Sequence, residues 1–234
     1  MYTKGDFHIH TICSDGAYTP TEIVIMARES KLDIISITDH NTTIGIDEAI
    51  KAGEWLGVKV IPGIELSTSF YGKKAHILGY FTTDIYKNND FSRLLKYIKK
   101  HNIKSVKNFI GNSIEIRKSN NKEVLDTNLG IDLIKYFGGC AILAHPVRLK
   151  SGIFNEIIKL PFDGIEAIYS KNTPSQTEYY KKISTEKDMI YTAGSDFHTD
   201  LRMDRRHGKI GQVSLDNYEI ENLLIKCINS SLKN

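Results

Sequence analysis

The feature that most constrains this 234-residue chain is an alternation of short β-rich runs with helical stretches. Residues 7–9, 34–37, 59–61, 76–78, 141–143, 164–168 and 190–192 are apolar or β-branched and short, as strands are, with 209–213 as a candidate eighth. Between the first two runs, Thr19-Pro20-Thr21-Glu22 marks a helix start, and Ile23, Val24, Met26 and Ala27 follow it. Residues 47–56 and 178–187 are further helical candidates. Such alternation predicts parallel strands joined by crossover helices, and seven or eight repeats predict a closed α/β barrel rather than an open sheet.

Residues 89–136 break the pattern. Leu94, Leu95, Ile98, Ile103, Val106 and Ile110 recur at helical spacing, so the segment reads as mainly helical, interrupted near Gly111 and at Asn120 and Asn121. We expect one domain over 1–234, with 87–136 as a basic insertion on the barrel. Between Lys87 and Lys122 stand ten Lys/Arg and two acidic residues, a charge of +8; the whole chain carries +3, so the remainder carries −5. That asymmetry suits a face for phosphate or nucleic acid, and a solvated helical surface is the alternative.

Cys13, Cys140 and Cys227 are odd in number and widely spaced, which excludes a disulfide framework and a Cys-x-x-Cys site and fits a reducing cytoplasm. Residues 1–10 hold no apolar signal core, and no apolar run approaches the roughly 18 residues of a membrane span. Neither secretion nor membrane insertion is expected. P-loop, dinucleotide-binding and H-E-x-x-H motifs are also missing.

Chemistry gathers at predicted strand ends. His8 and His10 alternate on a strand and so face one side, and Asp15 follows in the next loop. Further along come Asp39 and His40, then Glu65 with His76 on the following run, then His145, then Asp196 and His198. Each histidine taken singly is explained as an ordinary polar residue at a strand end. In a parallel barrel, however, these segments open onto one mouth, where uncompensated imidazoles and carboxylates are costly to desolvate. A shared metal centre follows. Nitrogen and carboxylate donors without thiolates favour Mn, Fe or Zn over Ca or Mg. Nine candidate ligands exceed one ion, so two or three divalent cations are expected, a setting suited to phosphate-ester hydrolysis by attack of a metal-bridging hydroxide.

The motifs HIHTICSDG at 8–16, ITDHN at 37–41, PGIEL at 62–66, AHILGY at 75–80, AHP at 144–146 and GSDFH at 194–198 resemble, in order, those of the PHP domain family, named for polymerase and histidinol phosphatase. The resemblance implies a distorted seven-stranded TIM-like (β/α) barrel with a trinuclear centre. It assigns His8, His10, Glu65 and Asp196 to one ion, a shared Glu65 with His76 and His145 to a second, and Asp15, His40 and His198 to a third. Glu65, Asp196 and His198 would then act catalytically as members of the centre. Asp39 is expected to hydrogen-bond a ligand histidine or a neighbouring loop, and Arg148 resembles a phosphate-binding arginine of the family, with an exposed surface arginine as the alternative. Of the charged residues after GSDFH, Arg202, Arg205, Arg206 and His207, we assign Arg205 and His207 to substrate binding; a charged solvent loop would look the same.

Within the family, the chain is most similar to small stand-alone phosphoesterases acting on nucleotides, nucleoside 3′,5′-bisphosphates or short RNA ends, which usually carry a longer insertion. The implied activity is phosphate monoester hydrolysis on a small phosphorylated substrate, with no obligate protein partner. Histidinol-phosphate phosphatase is the enzymatic alternative, and a non-catalytic, metal-stabilised binding module is the alternative from another class.

Overall fold

A computed structural model describes residues 1–111, 123–201 and 204–232. Seven strands follow one another around a single sheet in chain order: β1 (Gly5–Ile9), β2 (Ile34–Ile37), β3 (Lys59–Phe70), β4 (Lys73–Tyr80), β5 (Cys140–Leu143), β6 (Gly164–Tyr169) and β7 (Ile190–Gly194). The ring closes where Gly5 and Leu215 exchange backbone hydrogen bonds of 3.1 and 2.9 Å, and where Asp196 N–H donates to His8 O at 2.8 Å. The expected α/β barrel of seven strands is present.

It is distorted at one place. Parallel pairing holds for β1–β2–β3 and for β5–β6–β7, but β4 runs antiparallel to both neighbours. The cause is local: β3 runs on to Phe70, and Tyr71 and Gly72, at φ +47° and +73°, form a two-residue turn that folds β4 straight back. No crossover helix fits in two residues. Residues 209–213, the candidate eighth strand, instead form a turn, and the bridge to β1 comes from Leu215.

The helices are α1 (Pro20–Glu29), α2 (Ile46–Leu56), α3 (Asn89–Lys99), α4 (Ile103–Ile110), α5 (Thr127–Tyr136), α6 (Ser151–Ile157), α7 (Pro174–Glu186) and α8 (Asn217–Ser231). Thr19 caps α1 reciprocally with Glu22; of the four apolar residues read there, Ile23, Val24 and Ala27 are buried together with Pro20, while Met26 is only partly covered. Thr173 and Gln176 do the same for α7, which therefore starts four residues before the predicted 178. Helix α8 went unpredicted. Its Ile220, Leu223 and Cys227 pack with Phe7, Ile34 and Tyr80 against the strand ends away from the mouth.

In the segment from 89, α3 and α4 bury Leu94, Ile98, Val106 and Ile110 in one cluster with Ile64, Ile77 and Leu143 of the barrel. It is α5, between β4 and β5 in the chain, that packs directly on β3, β4 and β5, and α3 and α4 extend the same core outward. The expected interruption at Asn120 and Asn121, and the charges Arg117, Lys118 and Lys122, lie outside the described residues, as does Arg202. Among the described residues, no helix is long and apolar enough to cross a membrane.

Candidate metal centre

Strand geometry brings nine predicted residues to one mouth. His8 and His10 alternate on and just after β1, and both side chains are fully buried. Asp15 lies in the loop between β1 and α1; His40 follows β2; His145 follows β5; Asp196 and His198 follow β7. Glu65 was expected just past a short strand but lies inside the twelve-residue β3, bridged to His40. His76 lies inside β4, reaching the mouth because that strand runs backwards, with Ser67 as its partner across the pair.

Glu65 divides its carboxylate between two sides. Oε2 lies 3.2 Å from His10 Nε2, 3.4 Å from His8 Nε2 and 3.2 Å from His40 Nδ1. Oε1 lies 2.7 Å from His76 Nδ1 and 3.0 Å from His145 Nε2. Asp196 Oδ1 completes the first side, 3.3 Å from His8 Nε2 and 3.4 Å from His10 Nε2. Farther out, Asp15 Oδ1 is 3.3 Å from His10 Nδ1 and 3.3 Å from His198 Nε2, and Asp15 Oδ2 is 3.8 Å from His40 Nε2.

Ligand atoms within 4.8 Å of one another form overlapping groups: His8, His10, Glu65 and Asp196; His10, Asp15, His40 and His198; His40, Glu65 and His76; and Asp196, His198 and His207. The first agrees with the expected grouping. His10, His40 and His198, however, each belong to two groups, so the assignment of one histidine to one ion is less exclusive in this geometry than the resemblance implies.

The donor set fits divalent cations. His76 Nε2 is buried without a hydrogen-bond partner among the described residues, and such an atom costs free energy unless something satisfies it. Burial opposes ionisation of Asp15, Glu65 and Asp196, yet the surrounding imidazoles outweigh it and hold all three carboxyls well below their usual range. Burial likewise works against charging His8 and His10, but their carboxylate neighbours raise both. For His40, burial wins and lowers it to about 4. The cluster is thus a largely buried set of strongly interacting charges, and cations would relieve that cost.

Three of the seven positive-φ non-glycine residues among the described residues lie at the cluster. His145 and Asp196 adopt φ of +26° and +54°, and Asn41, beside His40, +52°. Non-glycine residues take this region at a cost that functional sites tolerate.

Outside the cluster, Asp39 accepts from Thr11 N–H and Oγ1, both at 2.7 Å, and from Ser14 Oγ at 2.5 Å. It fastens the loop carrying Asp15, the neighbouring-loop role expected of it. Arg148, in a short 3₁₀ turn over Pro146–Arg148, pairs with Asp196 Oδ2 at 2.8 Å and also meets the Tyr169 hydroxyl and the Arg206 carbonyl. His207 stacks on His198 with ring centres 3.8 Å apart, and its Nδ1 donates to Asp204 at 2.8 Å. Arg205 is exposed, and none of the hydrogen bonds or ion pairs among the described residues ties it to the cluster.

Three buried residues around the cluster escaped the sequence reading. Asp6 accepts from Ser195 N–H and Gly211 N–H, both at 3.0 Å, which holds the loop after β7 in place. Tyr169 donates to Asp196 Oδ2 at 2.9 Å. Glu166 contacts His8 and the His145 backbone. An acidic residue inside an otherwise apolar run, as in Gly164–Tyr169, is the signal that would have found Glu166.

Known proteins resemble this chain in sequence and in fold. The sequence model of the PHP domain matches residues 6–185, so the chain belongs to the PHP domain family. A 5′-3′ exoribonuclease of Haemophilus influenzae is 27% identical across 85% of this chain and 91% of its own length. A phosphoribosyl 1,2-cyclic phosphate 1,2-diphosphodiesterase of Eggerthella lenta is 23% identical across 89% and 95%. A 3′,5′-nucleoside bisphosphate phosphatase of Chromobacterium violaceum is 38% identical over 32% of this chain and 26% of its own. Among solved structures, a Bifidobacterium adolescentis protein provisionally assigned as a metal-dependent phosphoesterase superposes with a TM-score of 0.74 at 22% identity, covering 95% of this chain and 96% of its own.

Proposed function

We propose that this protein hydrolyses phosphate monoesters of nucleotides, either nucleoside 3′,5′-bisphosphates or short RNA ends, at a centre of two or three Mn, Zn or Fe ions held by His8, His10, Asp15, His40, Glu65, His76, His145, Asp196 and His198. The observation that carries the reading is the split of the Glu65 carboxylate, with Oε2 on the His8, His10 and His40 side and Oε1 on the His76 and His145 side. One acidic residue placed this way serves two neighbouring cation positions.

Bound divalent cations supply Lewis-acid charge against phosphoryl oxygens and lower the pKa of coordinated water. The chain's own part is orientation. Arg148, half-buried beside Asp196, offers guanidinium donors to a phosphate at the mouth. His207, held by Asp204 and stacked on His198, borders the opening and offers its remaining nitrogen to substrate. Arg205 stands in the same exposed loop, where it would meet a second phosphate. Relatives named for nucleoside bisphosphate and RNA substrates support the nucleotide class, and 87–136 would be the insertion on a single domain spanning 1–234.

The test is phosphate release from a panel of 3′,5′-bisphosphates, 5′-phosphorylated oligoribonucleotides and histidinol phosphate, and ring opening of a cyclic phosphodiester followed by chromatography, with Mn, Zn or Fe and a chelator control. Metal-dependent turnover of the bisphosphates or RNA ends is expected. Turnover of histidinol phosphate alone selects the other phosphatase, and RNA binding without turnover under any metal selects the non-catalytic module.

A further inference from the structure

Glu166 of β6 is fully buried, and its two oxygens serve two different donors. Oε1 meets His8 Nδ1 at 2.8 Å, and Oε2 accepts from the His145 backbone N–H at 2.6 Å. We infer that Glu166 is a positioning residue of the metal centre, one carboxylate that orients the His8 ring and the His145 backbone together so that both Nε2 atoms converge on Glu65. This inference rests on the reading of the cluster as a cation site.

The convergence is visible on the far side of each ring. His8 Nε2 lies 3.4 Å from Glu65 Oε2, and His145 Nε2 lies 3.0 Å from Glu65 Oε1. With Nδ1–H donated to Glu166, His8 keeps its Nε2 lone pair free for a cation, since the hydrogen bond made by one ring nitrogen decides the role of the other. His145 needs a different kind of support. Its backbone sits at φ +26° and ψ +64°, a positive-φ region that few non-glycine residues adopt, and the short hydrogen bond from its N–H to Glu166 helps hold it there.

A third residue makes the contact possible. Strand β7 lies between β6 and the β1 edge of the ring, so Glu166 must cross it to reach His8. At the crossing stands Gly194, where an added Cβ would lie 2.0 Å from Glu166 Oε1 and 2.3 Å from His8 Cβ. The glycine that opens GSDFH is therefore a gap through which the carboxylate reaches the imidazole.

Only a carboxylate satisfies both donors. Glutamine has the same shape but one acceptor and one amide donor. If its oxygen faces His145 N–H, its NH₂ faces His8 Nδ1 and drives the ring proton to Nε2; if its oxygen faces His8, two N–H groups oppose each other at His145.

The test compares wild type with Glu166→Gln and Gly194→Ala, each verified by circular dichroism. Zinc affinity is measured by calorimetric titration, and the His8 ring nitrogens are followed by ¹⁵N NMR in zinc-loaded protein. Both variants should lose about 10- to 100-fold in zinc affinity, Gly194→Ala while keeping its carboxylate. Wild-type His8 should show a protonated Nδ1. Wild-type affinity in both variants overturns the inference, and so does a His8 bearing its proton on Nε2. The His8 measurement needs no variant and decides the matter even where a substitution prevents folding. Wild type that binds no zinc removes the cation-site reading itself and this inference with it, an outcome distinct from loading that is equal in all three proteins.

Discussion

Arg148 Nη2 lies 2.8 Å from Asp196 Oδ2, while the other oxygen of that carboxylate, Oδ1, lies 3.3 Å from His8 Nε2 and 3.4 Å from His10 Nε2. The arginine grips the oxygen that the imidazoles leave free, and Tyr169 shares the grip. Arg148 is thus tied into the site before any phosphate arrives. Replacing it with alanine should lower kcat/KM about 10- to 150-fold, the equivalent of one charge-assisted hydrogen bond of roughly 1.5–3 kcal/mol. Steady-state kinetics on the preferred phosphomonoester checks this, and an unchanged kcat/KM would return Arg148 to a structural role.

Substituting Glu65 with glutamine keeps the volume of the side chain and removes the charge facing both sides of the cluster. We expect loss of at least about 100-fold in kcat, together with fewer ions retained per chain after desalting, as elemental analysis would show. Full activity in this variant would refute the bridging role.

A small cleft beside the mouth is lined by Asn41, Thr42 and Thr43, which follow His40, and on its other side by Lys96 and Lys99 of α3. Lysines so placed would steer an anionic substrate toward the centre. Lys96→Glu and Lys99→Glu should each raise KM about 3- to 10-fold at low salt and flatten its salt dependence, whereas Lys100→Glu, outside that lining, should do less. Kinetics across ionic strength distinguish steering from an inert solvated face, which would leave all three variants unchanged.

Leu94 of α3 is fully buried in the core cluster that also holds Phe91, Ile98 and Val106 of α3 and α4. Leu94→Ala should destabilise the fold by about 2–5 kcal/mol, the range for a buried leucine replaced by a cavity. Urea unfolding of metal-loaded protein measures it; a change below about 1 kcal/mol would mean that α3 is only loosely attached.

Chelation should lower the melting temperature and re-addition of Mn or Zn should restore it, because ions that bind only the folded state stabilise by about 2.7 kcal/mol at one hundred times Kd. A melting curve indifferent to metal would argue that the buried charges need no cation.

Residues whose chemistry follows from short-range pattern were readable in the sequence. His8 and His10 share a face because strand side chains alternate, and Thr19 with Glu22 announces α1 three residues apart. What escaped depends on three-dimensional events. The reversal of β4 is decided by the Tyr71-Gly72 turn, and without it His76 would not meet Glu65 from inside a strand. Glu166 and Tyr169 both reach the cluster although their separation of three residues is odd for one face of a strand; the register slips between Ile165 and Ile168, which no alternation rule anticipates. Residues 209–213 form a turn, and β1 is met instead by isolated single-residue bridges from Leu215 and Phe197, too short to show as a strand in the sequence.

Anomalous diffraction at the zinc edge from crystals of zinc-loaded protein interrogates the arrangement most directly. At least two peaks should flank the Glu65 side chain, one among His8, His10 and Asp196 and another beside His76 and His145. A solitary peak, or none, would contradict it.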